Sequence, residues 1–445
     1  MIELEEYFGG ILNGDIIACE KMKRISDILI ERYQHPDKYH YDHNIAVKHI
    51  EFIERFCKQP TGKIGQPLKL ELFQKARLQA LFGFVDDNNL RQYNECLIVE
   101  GRKNGKTTET AAVELDLLIN DKEGAPQIYN LATMLEQAKL GFNAAHKMVM
   151  QSPTLAKWIR KRANDLYCEI NFGFIKALAS NSNSLDGLDV HAAVIDELAA
   201  IKDRDIYDLI KQAMGARRQP LLFCITTNGF VRDSIFDAQY EYAANVINGS
   251  VNNPRFLPFI YELDAMEEWE KPECWIKANP GLGTVKSYDY LQQMVEKGKN
   301  DPSFKPTVLV KDFNMKQNPV SAWLNFEDIV NEEAVDMEYL KNSPDDIRKK
   351  LNSGNVKKIS GFDFYIDKEG EKTVINACCG IAKVNAALCT QLLILNFKVE
   401  KVINTGIAGA TGAGLNQYDF VVSTAAVYHD VDVQIFGYKP GQVPG

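Results

Sequence analysis

Apolar positions in the first part of the chain recur at i, i+3, i+4 and i+7, most clearly in "DIIACEKMKRISDILIERYQ" (15–34) and "AVKHIEFIERFCKQ" (46–59). That is the period of amphipathic helices. The break "PTGKIGQP" (60–67) precedes a third such run, "LKLELFQKARLQALFGF" (68–84). From about residue 93 the pattern changes. "YNECLIVEG" (93–101), "QIYNLAT" (127–133), "HAAVIDEL" (191–198) and "PLLFCITTNG" (220–229) are short and mostly apolar, with helical runs such as "TTETAAVELDLLIN" and "LEQAKLGFNAAHKMVMQ" between them. Buried strands alternating with helices predict an α/β fold with a mostly parallel sheet. A charged, turn-rich stretch then leads into a second, shorter α/β pattern. The expected organisation is a helical region over 1–90, an α/β domain over 91–330, a linker over 331–355 and a partial α/β segment over 356–445.

Composition narrows the class. The formal net charge is −9, which argues against a protein that coats nucleic acid by bulk electrostatics. Residues 331–445 hold 12 Lys+Arg against 14 Asp+Glu, leaving 39 against 46 upstream. Neither part is basic, so any contact with DNA must be local. No apolar run reaches membrane-spanning length, and "MIELEEYFGG" lacks the layout of a signal peptide. The expectation is a cytoplasmic protein with no membrane contact. The nine cysteines are dispersed with no C-x-x-C pair, which fits free thiols in a reducing compartment. The adjacent Cys378 and Cys379 read as strand residues facing opposite sides.

Three motifs carry chemistry. "LIVEGRKNGKTTETAAVEL" (97–115) is a phosphate loop of the form G-x-x-x-x-G-K-[ST] with one spacer residue missing between Gly101 and Gly105. A solvated basic turn is the bland alternative. The strand before and the helix after favour a nucleotide site, because they set a helix N-terminus toward the phosphates. Lys106 would neutralise the outer phosphates of ATP and Thr107 would help hold Mg²⁺. Arg102, Lys103, Asn104, Gly105 and Thr108 complete the candidate nucleotide-binding set. In "HAAVIDELAAI" an apolar strand runs into Asp196 and Glu197, an expensive placement unless the charges are used. Asp196 would hold Mg²⁺ and Glu197 would polarise the attacking water; a helix N-terminal acidic pair is the alternative. The strand "LLFCITTNG" ends in Thr226, Thr227 and Asn228, whose polar groups can report hydrolysis to the rest of the protein.

With these residues in order, the chain resembles the large terminase subunit of tailed bacteriophages, the ATPase that pumps DNA into proheads. Arg102-Lys103-Asn104-Gly105-Lys106-Thr107 fits that family's R-x-N-G-K-T loop, "SLDGLDVHAAVIDEL" its acidic strand, and "TTNG" its coupling motif. "GQPLKLELFQKARLQALFG" is similar to the segment whose glutamine, here Gln74, recognises adenine. The resemblance covers roughly residues 5–330, including "GDIIACEKM" and "FNMKQNPVSAWLNFEDI". It implies a Mg²⁺-dependent ATPase that works on double-stranded DNA with a portal protein and a small terminase subunit, as a homo-oligomeric ring. A stabilising arginine is also implied, and Arg102, Arg160, Arg162, Arg217 and Arg218 are all candidates.

The last hundred residues differ. Such subunits continue into a metal-dependent nuclease, for which Asp363 in "VKKISGFDFYI" is the one hint. Instead "GIAKVNAA", "NTGIAGA", "YDFVVS" and "YHDVDVQIFGYKPGQVPG" resemble the 5′-methylthioadenosine/S-adenosylhomocysteine nucleosidases of the nucleoside phosphorylase family. Ala382 stands where that family usually has glycine, and Gly406 and Gly409 follow the strand "KVINTG". The family's catalytic glutamate turn and its proton-donating aspartate are missing. The expectation is a packaging ATPase whose nuclease part is replaced by an incomplete nucleosidase segment, without nuclease or nucleosidase activity. The alternatives are a nucleosidase-related protein or an inactive prophage fusion product.

Overall fold

Five-residue "ECLIV" and its neighbours in space, "VHAAVID" and "LLFCIT", are buried on both faces, as the strands of a helix-covered parallel sheet must be. The computed structural model describes residues 2–179, 187–201, 204–230 and 234–316, and farther on 356–359, 362–369, 372–377, 383–397 and 399. The chain divides into two units, Met1–Asn331 and Glu332–Gly445.

In the first unit, helices α1 (Gly10–Asn13), α2 (Glu20–Gln34), α3 (His43–Phe56) and α4 (Leu72–Gly83) come first, with a short ribbon of β1 (His40–Tyr41) and β2 (Phe84–Val85). Asp42 caps α3 by accepting from the Ile45 amide, and Glu71 with Gln74 forms a reciprocal capping box on α4. The sheet comprises β3 (Glu95–Val99), β4 (Gln127–Ala132), β5 (Ile159–Lys161), β6 (Asp165–Cys168), β7 (Phe174–Ala179), β8 (Val190–Asp196), β9 (Leu221–Thr226) and β10 (Phe256–Ile260). Its order is β10-β3-β9-β8-β4-β7-β6-β5. The pairings from β10 to β7 are parallel, and β6 and β5 add an antiparallel extension. Helices α5 (Lys106–Asn120), α6 (Leu135–Gln151), α7 (Leu155–Trp158), α8 (Asp205–Ala213) and α9 (Ile235–Ile247) lie between the strands in sequence, and α10 (Tyr288–Asn300) and α11 (Lys305–Lys311) follow.

The α/β expectation holds, and the strands read from the apolar runs are present. The antiparallel extension and β10 were not foreseen, since "FLPFI" carries a proline and β5 is three residues long. One continuous apolar core runs from Leu4 to Tyr261, and a second cluster joins Trp269, Trp275, Leu291, Val308 and Phe313.

In the second unit, β11 (Val356–Ile359), β12 (Phe362–Glu369) and β13 (Lys372–Ala377) form an antiparallel sheet, followed by α12 (Lys383–Phe397). Asp363 lies on β12, opposite Lys358. Cys378, Cys379, Ala382, Gly406, Gly409, the 331–355 linker and the final nucleosidase-like motifs lie outside the described residues.

Candidate nucleotide site

The missing spacer in the loop has a structural counterpart. Gly101 is not a phosphate-facing glycine here. Its amide donates to the Ala278 carbonyl (2.9 Å), and that of Arg102 donates to the Lys311 carbonyl (2.9 Å). A Cβ at Gly101 would fall 2.3 Å from Asn279 Oδ1 and 2.5 Å from the Asp312 carbonyl oxygen, so only glycine fits this close approach. The loop turns through left-handed conformations at Lys103 (φ 68°) and Gly105 (φ 92°) into α5. The backbone amides of Lys103 to Thr107 make no hydrogen bond among the described residues. A run of free amides at a helix N-terminus is an anion-binding arrangement.

Lys106 lies inside this turn, its ammonium donating to the carbonyls of Glu100 (2.7 Å) and Gly101 (3.0 Å). Burial lowers its pKa, while Glu100, Glu197 and Asp196 pull it up. Thr107 and Thr108 stand half-buried on the first turn of α5, and Arg102 and Lys103 are exposed. Asn104 faces inward: its amide donates to the Gly101 carbonyl (2.9 Å) and to Asn279 Oδ1 (3.0 Å), and its oxygen accepts from the Gly281 amide (3.0 Å). Its side chain therefore shapes the loop.

Asp196 is the last residue of β8, and Glu197 follows with φ 55° and ψ 52°. A non-glycine residue in this region costs energy that the surroundings must supply, and such strain clusters at functional sites. Burial and the neighbouring Glu197 push Asp196 up to about 6, while Lys106, the Glu197 amide and the Thr107 side chain hold it down. The lysine, the threonine and both acids thus come together across β3 and β8. Two adjacent carboxylates beside a threonine hydroxyl, one of them resisting ionisation, are a donor set that a divalent cation would stabilise.

The end of β9 touches both motifs. The Thr226 carbonyl accepts from the Glu100 amide (3.1 Å), and its hydroxyl accepts from the Ala199 amide (3.1 Å). Thr227 and Asn228 are buried, with Thr227 Oγ1 and the Asn228 carbonyl accepting from Lys311 Nζ at 3.0 and 2.9 Å. Asn228 also pairs with Asn314 through two bonds of 2.9 Å.

Gln74 lies beside the loop, its nitrogen 3.6 Å from where a Gly105 Cβ would stand. Its carbonyl accepts from the Glu71 amide (3.0 Å) and its amide donates to Glu109 (3.0 Å). Of the candidate arginines, Arg160 pairs with Glu169 and Arg162 with Asp165 on the antiparallel extension. Arg217 binds Asp189 and the carbonyls of Gly124 and Ala125, at the opposite ends of the strands from the loop. Arg102 alone of the five stands on the loop itself.

Two groups escaped the motif reading. Arg77, buried on α4, pairs with Glu100 (2.5 Å) just before the loop and with Glu109 (2.6 Å) just after it. A cation on the buried face of "FQKARLQAL" was the signal that could have found it. Lys311 has no local signal in "TVLVKDF". Among the described residues there is no cluster of three or more His, Cys, Asp or Glu placed to hold a metal.

The geometry sets a phosphate-type loop opposite an acidic strand end in a parallel sheet, and known proteins narrow what that means. Residues 72–245 match the family model "Terminase large subunit, ATPase domain". The chain is 31% identical over 285 residues to the large terminase subunit of Enterobacteria phage HK97, covering 62% of this chain and 54% of that protein. The crystal structure of the HK97 large terminase superposes with a TM-score of 0.54 at 28% identity, covering 61% of this chain and 55% of that one. Residues 334–445 match "Phosphorylase superfamily". There the chain is 52% identical over 85 residues to the 5′-methylthioadenosine/S-adenosylhomocysteine nucleosidase of Treponema pallidum (strain Nichols), 19% of this chain and 32% of that enzyme. The Staphylococcus epidermidis enzyme is 44% identical over 98 residues, 43% of its length. The chain therefore joins a segment similar to terminase large subunits to one similar to these nucleosidases, and it spans about half or less of the relatives named here.

A third match, "Terminase large subunit, endonuclease domain", covers residues 250–380 and overlaps the phosphorylase match. The sequence motifs place 250–330 in the same expected α/β domain, 91–330, as the phosphate loop. In the structure β10 extends the ATPase sheet beside β3, and residues 278–314 roof the loop.

Proposed function

We propose that the first unit binds and hydrolyses ATP with Mg²⁺ as the motor part of a DNA-packaging terminase. The observation that carries this is the convergence of Lys106, Thr107, Asp196 and Glu197 across β3 and β8. Thr107 and Asp196 would hold Mg²⁺, which when bound supplies charge neutralisation at the outer phosphates. Lys106 places a second positive charge there, and the amides of residues 103–107 orient the phosphate chain. Glu197, in the left-handed turn after β8, would hold the water proton that is lost on attack. Gln74, beside Gly105, would meet the adenine through whichever of its polar groups α4 and Glu109 leave open. Thr226, Thr227 and Asn228 would carry the outcome to the 311–314 segment.

The partners that follow are double-stranded DNA, a portal protein and a small terminase subunit, with several copies in a ring, in a cytoplasmic setting. We further propose that the chain cleaves neither DNA nor nucleosides. The deciding experiment is ATP binding and turnover by the full chain and two variants. Lys106→Ala should lose tight binding. Glu197→Gln should keep binding yet lose at least a hundredfold in turnover, about 3 kcal/mol in barrier. Unchanged affinity in the first variant and unchanged rate in the second would defeat the assignment.

A further inference from the structure

At the other end of the sheet from the phosphate loop lies a cavity of about 240 Å³, lined by Asn94, Lys211, Met214, Gly215, Arg217, Arg218, Pro220 and Arg255. Asn94 precedes β3, Pro220 precedes β9 and Arg255 precedes β10, so the cavity opens at the N-terminal ends of the central strands. Strands of this length set it roughly 15–20 Å from the loop. Four of its eight lining residues are cationic and none is acidic. In a chain of net charge −9, such a concentration is a local exception.

Pairing sorts the four cations. Lys211 is matched by Glu95 (2.6 Å), and Arg217 by Asp189 (2.8 Å) with Glu123 at 3.5 Å. Among the described residues Arg255 donates to neutral acceptors alone, the Tyr39 hydroxyl (3.0 Å) and the Arg91 carbonyl (3.3 Å). Arg218 is exposed and has no ion pair or hydrogen bond among the described residues. Two uncompensated guanidinium groups therefore border one concave space. Like charges held together in a recess repel unless an anion lies between them, and planar guanidinium forks match the oxygens of a phosphate.

We propose that this cavity binds a phosphate group, with Arg218 and Arg255 as its ligands and Lys211 and Arg217 as the flanking charges. It is distinct from the nucleotide loop and does not depend on the loop's assignment. The phosphate could come from a nucleic-acid backbone or from a free phosphate or mononucleotide, and the arms of the test separate these sources.

The test uses the full chain in the Lys106→Ala background, which silences the loop, with and without Arg218→Ala or Arg218→Glu. Arg218 is exposed and has no partner among the described residues, so both variants should fold, and a thermal melt checks this. Inorganic phosphate is titrated by calorimetry, and a short DNA duplex by fluorescence anisotropy over a range of salt. If the source is a backbone, Arg218→Ala should weaken duplex binding about tenfold near 0.1 M salt and lower the log–log salt slope by about 1. If the source is free phosphate, the loss should fall on inorganic phosphate while duplex binding stays as it was. Either result supports the site and names its ligand. Wild-type binding of both probes by Arg218→Glu would overturn it. Failure of the ATPase reading would show separately, as ATP affinity indifferent to Lys106.

Discussion

Lys311 joins two ends of the nucleotide site: its carbonyl accepts from the Arg102 amide at 2.9 Å, and its ammonium donates to Thr227 Oγ1 at 3.0 Å. Burial lowers its pKa, Glu197 raises it, and Arg102 and Lys106 lower it further. It is a basic group in the field of Glu197, tied to the end of β9. Lys311→Met should leave ATP affinity within about threefold of wild type while reducing turnover by about tenfold or more, ~1.4 kcal/mol in barrier. Lys311→Arg should recover part of the rate. A variant with normal turnover would show that the lysine only packs the strand end.

Glu197 offers a test of strain. Glycine adopts φ 55° without penalty, so Glu197→Gly should stabilise the fold by roughly 1 kcal/mol while abolishing hydrolysis. Urea denaturation of the two proteins measures the first effect. A destabilised glycine variant would mean that the Glu197 side chain contributes more to the fold than its backbone costs.

The Arg77 pairs with Glu100 and Glu109 are almost wholly buried. Removing the arginine leaves two carboxylates without a partner, so Arg77→Met should cost about 3–5 kcal/mol. Adding Glu100→Gln and Glu109→Gln should restore much of that loss. If the single variant melts as wild type does, water or another group must already reach these acids.

Glu114, buried on α5, is pushed up to about 8 by burial and by Asp196, against a hydrogen bond from Asn130. In the unfolded chain it ionises near its ordinary value of 4.5. Between those values the native state holds a proton that the unfolded state has released, so stability falls as pH rises through that window. Asp196 adds the same slope up to about 6. Glu114→Gln keeps the acceptor for Asn130 and removes the titration. It should flatten the profile and gain about 2 kcal/mol or more at pH 8 over wild type. Parallel denaturation profiles at pH 5 and pH 8 would refute the buried proton.

The purified chain should leave supercoiled plasmid intact with Mg²⁺ or Mn²⁺ and release no adenine from methylthioadenosine. The endonuclease-model match over 250–380 makes the first of these a sharp test. Metal-dependent cleavage that disappears in Asp363→Asn would assign that carboxylate a nuclease role.

How much of this was readable beforehand follows physical lines. Buried parallel strands announce themselves, because a strand covered on both faces must be apolar throughout; β3, β8 and β9 were legible for that reason. Asp196 and Glu197 sit at a strand end where polarity changes abruptly, and Lys106 and Thr107 open a helix after a glycine turn, so their convergence could be anticipated. Asn104 could not be told from a phosphate ligand, because its partners Asn279 and Gly281 lie about 175 residues away. Separation in sequence also hid Lys311, 84 residues from Thr227, whose meaning exists only once α11 packs over the loop. The edge strands β5 and β10, and β6 beside β5, are short or carry proline, and their pairing is decided by the sheet they join.

The roof over Gly101 has a mechanical consequence. Residues 278–314 grip the loop from outside, and the chain leaves this grip at Asn314 on its way to the second unit. Arg102 and Asn228 are held by the same segment, through Lys311 and Asn314. Reciprocity then requires that whatever a bound nucleotide does to the grip, a change in the grip does in return to nucleotide affinity. The shortened loop is thereby built into the same hydrogen-bonded unit as the end of β9.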